Sequence, residues 1–360
     1  MQNFHGMTNV VDAHMHQIDP LATPRAFSGA ARRWAADAEN LSAAVDLLPP
    51  GFADLGDPLA LFVPYLPTDY VADAVGLPVC EAVHIQVGWA SEDPSEETAW
   101  VSGLQFEGMD IGAIIGAGDP RDAGFGALVE AHMRASRKFR GVRFMTAHHE
   151  DPGVISVSSR PSVLIEPDSM RGIAELADRD LILETWVYAH QLPDIAVVAG
   201  EYPELSIVVD HLGLPAGAFG PAGEHAGASK RVREELFRRW SDAIEELAAH
   251  PNVVLKHSGL GSSYLGMPEA AWSDLDRLEA WVGPYLEQAF EALGGDRSMW
   301  GSDFHNSRGH MSMHDIAELH ARSRSPRELD LLFRENARKI YRIGELPDNP
   351  SAVAEESRGS

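Results

Sequence analysis

A chain of 360 residues with 54 acidic against 29 basic side chains carries a formal charge of −25. Such a surface repels phosphate backbones and anionic membranes, which argues against nucleic acid or a membrane as partner. The single cysteine, Cys80, excludes an internal disulfide, and no apolar window reaches the roughly 18 residues of a membrane span. The start, MQNFHGMTNV, lacks the charged and apolar segments of a signal peptide. A cytoplasmic protein with a large core is expected, acting on a small molecule, either alone or as a homo- or hetero-oligomer.

In chain order, eight short apolar runs read as buried strands: residues 9–14, 81–88, 110–118, 139–146, 181–187, 205–213, 252–259 and 298–303. Amphipathic stretches such as FGALVEAHMRASRK, MRGIAELADRD and DRLEAWVGPYLEQAFEALG separate most of them. Strands apolar on both faces, each followed by a helix, predict a parallel sheet covered on its outside. Eight such units fit a (β/α)₈ TIM barrel, whose usual size is about 250 residues before insertions. A doubly wound open sheet is the competitor, but no Gly-rich phosphate loop follows the first strand.

The expected organisation is one barrel over residues 1–345, with a disordered polar tail at 346–360. The Pro- and Gly-rich segment Gln17–Pro78 is an insertion after strand one, placed to cover the catalytic face, and Leu214–Ala228 is a second loop on that side.

The C-terminal ends of barrel strands face a common pocket, and titratable groups collect there. Strand one ends in His14 and His16, strand five carries Glu184 and is followed by His190, and strand six ends in Asp210 and His211. Strand seven ends in Lys256 and His257, and strand eight in Asp303 and His305. A lone buried histidine is usually a satisfied core residue; histidines at four strand ends are hard to explain as packing. In an extended chain His14 and His16 share a face, so one ion can take both imidazoles. Imidazole and carboxylate ligands without clustered cysteines suit zinc first, with iron or manganese as alternatives. Asp303, arriving beside strand one, can ligate that ion or accept the proton of the attacking water.

Several further stretches carry a resemblance. VVDAHMHQIDP, FRGVRF, AHQLPDIAVVAGEYPELSIVVDHLGLP, NVVLKHSGLG, MWGSDF and LLFRENARKIYRI, in order over residues 9–343, resemble the amidohydrolase superfamily. PYLPTDYVADAVGLPV, EETAW and HHEDP resemble its amidohydrolase-related branch, which contains pyrone-dicarboxylate and sugar-acid lactonases. The resemblance implies a distorted barrel and a hydrolase that is metal-assisted or, in some lactonases, metal-independent. It matches His14 and His16 to the first-strand pair, His211 to the sixth-strand histidine, and Asp303 to the aspartate that activates water. Arg140 and Arg143 match the fourth-strand RGxR that holds an anionic or polar substrate in relatives, and paired guanidinium groups suit a carboxylate.

The sequence departs from the lactonase pattern at His257, at His305 and through Glu184. These add ligands and open the alternative of a dinuclear iron or manganese-iron oxygenase; a metal-dependent decarboxylase is the third reading. Plainer roles stand beside the sharper ones. Arg140 can pair with a surface carboxylate, His190 can cap the following helix, and Trp186 can be core rather than a stacking surface for substrate. Lys256 is either a counter-charge to substrate or a barrel ion-pair partner. The expected reaction opens a lactone or related cyclic ester bearing a carboxylate or hydroxyls, with Asp303 as base, the histidines holding the ion or polarising the carbonyl, His211 counted with Asp303 as catalytic, and Arg143 anchoring the substrate.

Overall fold

All eight apolar runs form strands: β1 Val10–Met15, β2 Val79–Ile85, β3 Asp110–Ala117, β4 Phe139–Met145, β5 Ile182–Trp186, β6 Ile207–Val209, β7 Val253–His257 and β8 Ser298–Trp300. They belong to a computed structural model that describes residues 3–48, 59–272, 274–308 and 310–344. The strands pair in parallel in sequence order. The segment after β8 closes the ring on β1: Asp303 N donates to His14 O at 2.9 Å, and His16 N to Phe304 O at 2.8 Å. The architecture is a (β/α)₈ barrel, and the closing hydrogen bonds place Asp303 against His14.

Period-two alternation assigns most strand residues to one of two cores, and it breaks in β1, where an irregularity after Asp12 leaves Val11 and Ala13 inside and Met15 outside. Val83, Ile85, Ala113, Ile115, Val208 and Val254 pack in an inner cluster with Ala337 and Tyr341 near the C-terminus. The other parity, including Phe144, Leu183, Val209 and Leu255, packs outward with the helices. Asp12 pins the seam between β1 and β8: its buried carboxylate accepts from Ser302 N, Ser302 Oγ and Tyr70 Oη.

Seven of the eight strands end earlier than the apolar pattern suggests, β6 by the most. β6 stops at Val209 because His211 and Leu212 take left-handed conformations (φ 54° and 59°), turning the chain across the barrel mouth. Such strain in non-glycine residues costs about 1–3 kcal/mol each and persists where the surroundings enforce it. Two glycines make room for imidazoles. A Cβ on Gly259 would lie 2.5 Å from His211 Cγ, and one on Gly301 2.6 Å from His14 Cβ.

The insertion after β1 is helical in its described parts, with Ser28–Ala36, Leu41–Val45, Leu59–Phe62 and Pro67–Asp73. A small core of Phe27, Ala30, Ala31, Ala44, Leu61 and Phe62 holds it together. Arg25 ties it to the barrel by pairing with buried Glu97 and lying 4.8 Å from the Trp89 ring centroid. Burial would raise Glu97, but His84 and Arg25 beside it bring its pKa down to about 2. The Leu214–Ala228 loop is held by Asp151, whose carboxylate accepts from the backbone N–H groups of Gly153, Glu224, His225 and Ala226. The expected tail at 346–360 lies outside the described residues. No helix among those residues is long and apolar enough to cross a membrane.

Candidate metal centre

At the C-terminal mouth, His14, His16, His211, Asp210 and Asp303 form two overlapping groups that share His14. The ligand atoms of His14, His16 and Asp303 lie within 4.8 Å of one another, as do those of His14, Asp210 and His211. All five are buried.

The hydrogen bonds assign each ring nitrogen a task. His16 Nδ1 lies 2.9 Å from Ile85 O, a pure acceptor, so Nδ1 carries the proton and the Nε2 lone pair faces Asp303 Oδ1 at 3.4 Å. His14 Nδ1 lies 3.2 Å from Asp210 Oδ1. The Lys256 ammonium, which can only donate, lies 3.2 Å from the same nitrogen and 2.6 Å from Glu184 Oε1, so His14 Nδ1 is held between the Asp210 carboxylate and the Lys256 ammonium. His14 Nε2 then faces Asp303 Oδ1 at 3.7 Å, buried and without a hydrogen-bond partner. Histidine ligands with the outer nitrogen bonded to a carboxylate or carbonyl are the usual arrangement around a metal. An orphaned buried Nε2, a second Nε2 and a carboxylate oxygen turned toward one another fit a divalent ion. His211 Nδ1 sits 2.9 Å from Ser258 Oγ, and its ring centroid is 4.7 Å from that of His14.

The electrostatics keep these groups in the ligand form. Burial, then the Lys256 charge, holds His14 well below the usual imidazole range, and burial lowers His211 against the pull of Asp303 and Asp210. Burial would raise Asp303, but His211, His16 and His14 around it keep it well below the ordinary carboxylate range. Burial lifts Glu184 to about 7, against the pull of Lys256 and with the push of Asp210. Asp210 stays ionised despite burial because Arg143, His14 and Lys256 surround it.

Not every predicted residue reaches this cluster. Arg140 points away: its Nε donates to Tyr341 O at 2.8 Å and its Nη1 to Arg137 O and Phe139 O, so it fastens the C-terminal segment to the start of β4. The expectation that it holds substrate is corrected, since only Arg143, three residues farther along β4, comes to the mouth. There its Nε lies 2.8 Å from Asp210 Oδ2. His257 is also corrected. Lys256 takes the inward position on β7, so its neighbour faces outward among the helices, 6.3 Å from Phe290 and 6.2 Å from His320 between ring centroids. His190 is exposed and packs against His149 and Tyr188, away from the centre.

His305 comes closer, with its ring 6.2 Å from His16 and 5.7 Å from Tyr65, but it is outside both ligand groups. Burial, then His16, pushes it down to about 3. Glu184 borders His14 at 3.9 Å, yet its oxygens are taken by Lys256 and by Tyr341 Oη. The three residues that suggested a second ion therefore do not assemble a second ligand set. Trp186 follows Glu184 by two residues on the same face of β5 and stands half-buried toward the mouth, with Nε1 unpartnered. The sequence offers Asp210 only as one more strand-end carboxylate; its place against His14 is not legible there, because adjacent positions in "VVDHLG" give no sign of which one the turn aims inward.

The family described as amidohydrolase matches residues 11–343. The chain belongs to the amidohydrolase family. This amidohydrolase is 30% identical over 291 residues to an uncharacterised protein of Sinorhizobium fredii, covering 80% of this chain and 89% of that one. It is 30% identical over 294 residues to the L-fucono-1,5-lactonase of Burkholderia multivorans, covering 79% and 89%. A crystal structure of an amidohydrolase from Burkholderia multivorans with bound zinc superposes with a TM-score of 0.63 at 25% identity, covering 93% of this chain and 99% of that one. The chain is an enzyme of the hydrolase class.

Proposed function

We propose that this amidohydrolase opens the ring of a lactone carrying hydroxyl groups, a sugar lactone, by adding water. The observation that carries the reading is the convergence of His14 Nε2, His16 Nε2 and Asp303 Oδ1 at the barrel mouth, with both outer ring nitrogens already committed. The lactonase named among its relatives supports the same reaction class. A divalent ion held by His14, His16 and Asp303, with zinc the first choice from the ligand types, supplies Lewis acidity toward the water and the ester carbonyl.

The chain's own groups supply the rest. Asp303 Oδ1 faces the imidazoles and also accepts from Asn306 Nδ2, which leaves Oδ2 to take the water's proton. The hydroxide adds to the lactone carbonyl, the ring C–O bond breaks, and the proton passes from Asp303 to the departing ring oxygen. The product is a hydroxy acid. His211, at the edge of the cluster, is placed to orient the carbonyl, and Trp186 offers a face to the sugar ring.

The charge pattern favours hydroxyls over a carboxylate on the substrate. Arg140 is turned away, Arg143 is paired with Asp210, and Lys256 is paired with Glu184, so each cation expected to anchor an anion is matched by a carboxylate or directed elsewhere. A panel of sugar 1,4- and 1,5-lactones, a carboxylated pyrone and an amide, followed by acid release, tests the proposal. Turnover of a neutral sugar lactone is expected. Activity confined to the carboxylated pyrone or the amide overturns it.

A further inference from the structure

We infer that the ammonium group of Lys256 stands in for a second metal ion, so that the centre holds one divalent cation and Lys256 blocks a latent second cation site on Glu184, Asp210 and His14. The inference deepens the proposed hydrolase reading and rests on the ion site assigned there. Lys256 Nζ is fully buried and lies 2.6 Å from Glu184 Oε1, 3.6 Å from Asp210 Oδ1 and 3.2 Å from His14 Nδ1. Two carboxylates and an imidazole around one point are what a divalent ion would demand, and a fixed monovalent cation occupies that point instead.

Charge matching supports the same assignment. On this side of the cluster Lys256 and Arg143 neutralise Glu184 and Asp210, pair for pair. On the other side Asp303 faces His14 and His16, with His211 nearby, and among the described residues no lysine or arginine pairs with it, so one carboxylate remains for one ion. Both Asp210 oxygens are buried and make no hydrogen bond of good geometry, so charge alone satisfies them. Buried carboxylates without a cation are costly, and a dication set beside the ammonium would be repelled. Lys256 is a positioning residue: it fixes the Asp210 and Glu184 carboxylates, and through Asp210 the ring of His14.

The test is metal stoichiometry, which requires no substrate. Purified full-length protein is stripped with chelator and dialysed against Zn²⁺, and the metal per folded chain is measured by emission spectroscopy. Wild type is expected to saturate at one, Lys256→Met at two, and Lys256→Met with Glu184→Gln at one again. Wild type at two or at none overturns the inference, as does folded Lys256→Met remaining at one. Should Lys256→Met not fold, anomalous scattering from wild-type crystals soaked in Zn²⁺ decides. A single peak among His14 Nε2, His16 Nε2 and Asp303 upholds the inference, and a peak beside Lys256 Nζ overturns it. A wild type that binds one ion yet opens no lactone would defeat the proposed activity and leave this inference standing.

Discussion

The two imidazoles of β1 differ in what holds them: His16 leans on a backbone carbonyl, whereas His14 depends on a side chain, Asp210. Asp210→Asn should therefore weaken ion affinity about 10–100-fold, the usual effect of losing such an orienting carboxylate. Zn²⁺ competition with a chromogenic chelator reads this directly, and unchanged affinity would remove Asp210 from its assigned place. Arg140 gives the opposite pattern. Its buried guanidinium serves backbone carbonyls of the C-terminal segment, so Arg140→Ala should cost about 2–3 kcal/mol in urea unfolding and leave KM within about twofold. A large rise in KM without a loss of stability would return it to the substrate.

The residue scale is also where the sequence was hardest to read. The spacing of His14 and His16 was sufficient, because one face of a strand repeats every second residue. Lys256 and His257 are neighbours at a strand end, where a difference of one residue separates pocket from outer core. Only the structure shows that Lys256 is the inward member. RGxR misled in the same way, since its two arginines lie at different heights on β4 and one reaches each end of the barrel.

Among the elements, the eight strands were legible because a parallel barrel buries both faces of each and leaves continuous apolar runs. Their ends were less so. Residues 205–213 read as one strand, yet the positive φ at His211 and Leu212 breaks it at Val209, a backbone preference no hydrophobic pattern encodes. The packing of β7 on the helices Leu275–Leu293 and Met313–Ala321 makes a separate prediction. His257 and His320 are buried there, and burial, followed by neighbouring positive charge, lowers both, His320 to about 4. Because the folded pKa lies below the unfolded value of about 6.5, the stability is fully present above that pH. It falls as pH drops from about 6.5 toward 4, by up to about 1.4 kcal/mol per pH unit for each group. Urea unfolding at pH 7.5 and 5 should show this loss, and His320→Gln should reduce the slope by up to one proton. An unchanged slope would mean that His320 does not remain neutral in the folded chain.

For the molecule as a whole, a formal charge of −25 surrounds a centre whose expected anion anchors are already paired. Long-range repulsion slows the approach of anions and is screened by salt. For a neutral sugar lactone kcat/KM should be nearly independent of ionic strength, whereas for a carboxylated lactone it should be lower at 10 mM than at 150 mM salt, two conditions spanning roughly 30 to 8 Å of screening length. Faster turnover of the carboxylated substrate at low salt would show a positive patch at the mouth. Barrel and family were both readable at this scale, because the motifs run in order along most of the chain. The insertion after β1 was readable as an insertion, but its helices and its Arg25–Glu97 tie to the barrel depend on contacts between segments far apart in sequence.

Hydrolysis of a sugar lactone by Asp303→Asn tests the central claim most directly. The substitution keeps the shape and the Asn306 contact while removing the proton acceptor. The account predicts a drop in kcat of about 10²–10⁴-fold, the contribution typical of general base catalysis, with the circular dichroism of the fold unchanged. Near-normal turnover by that variant would contradict it.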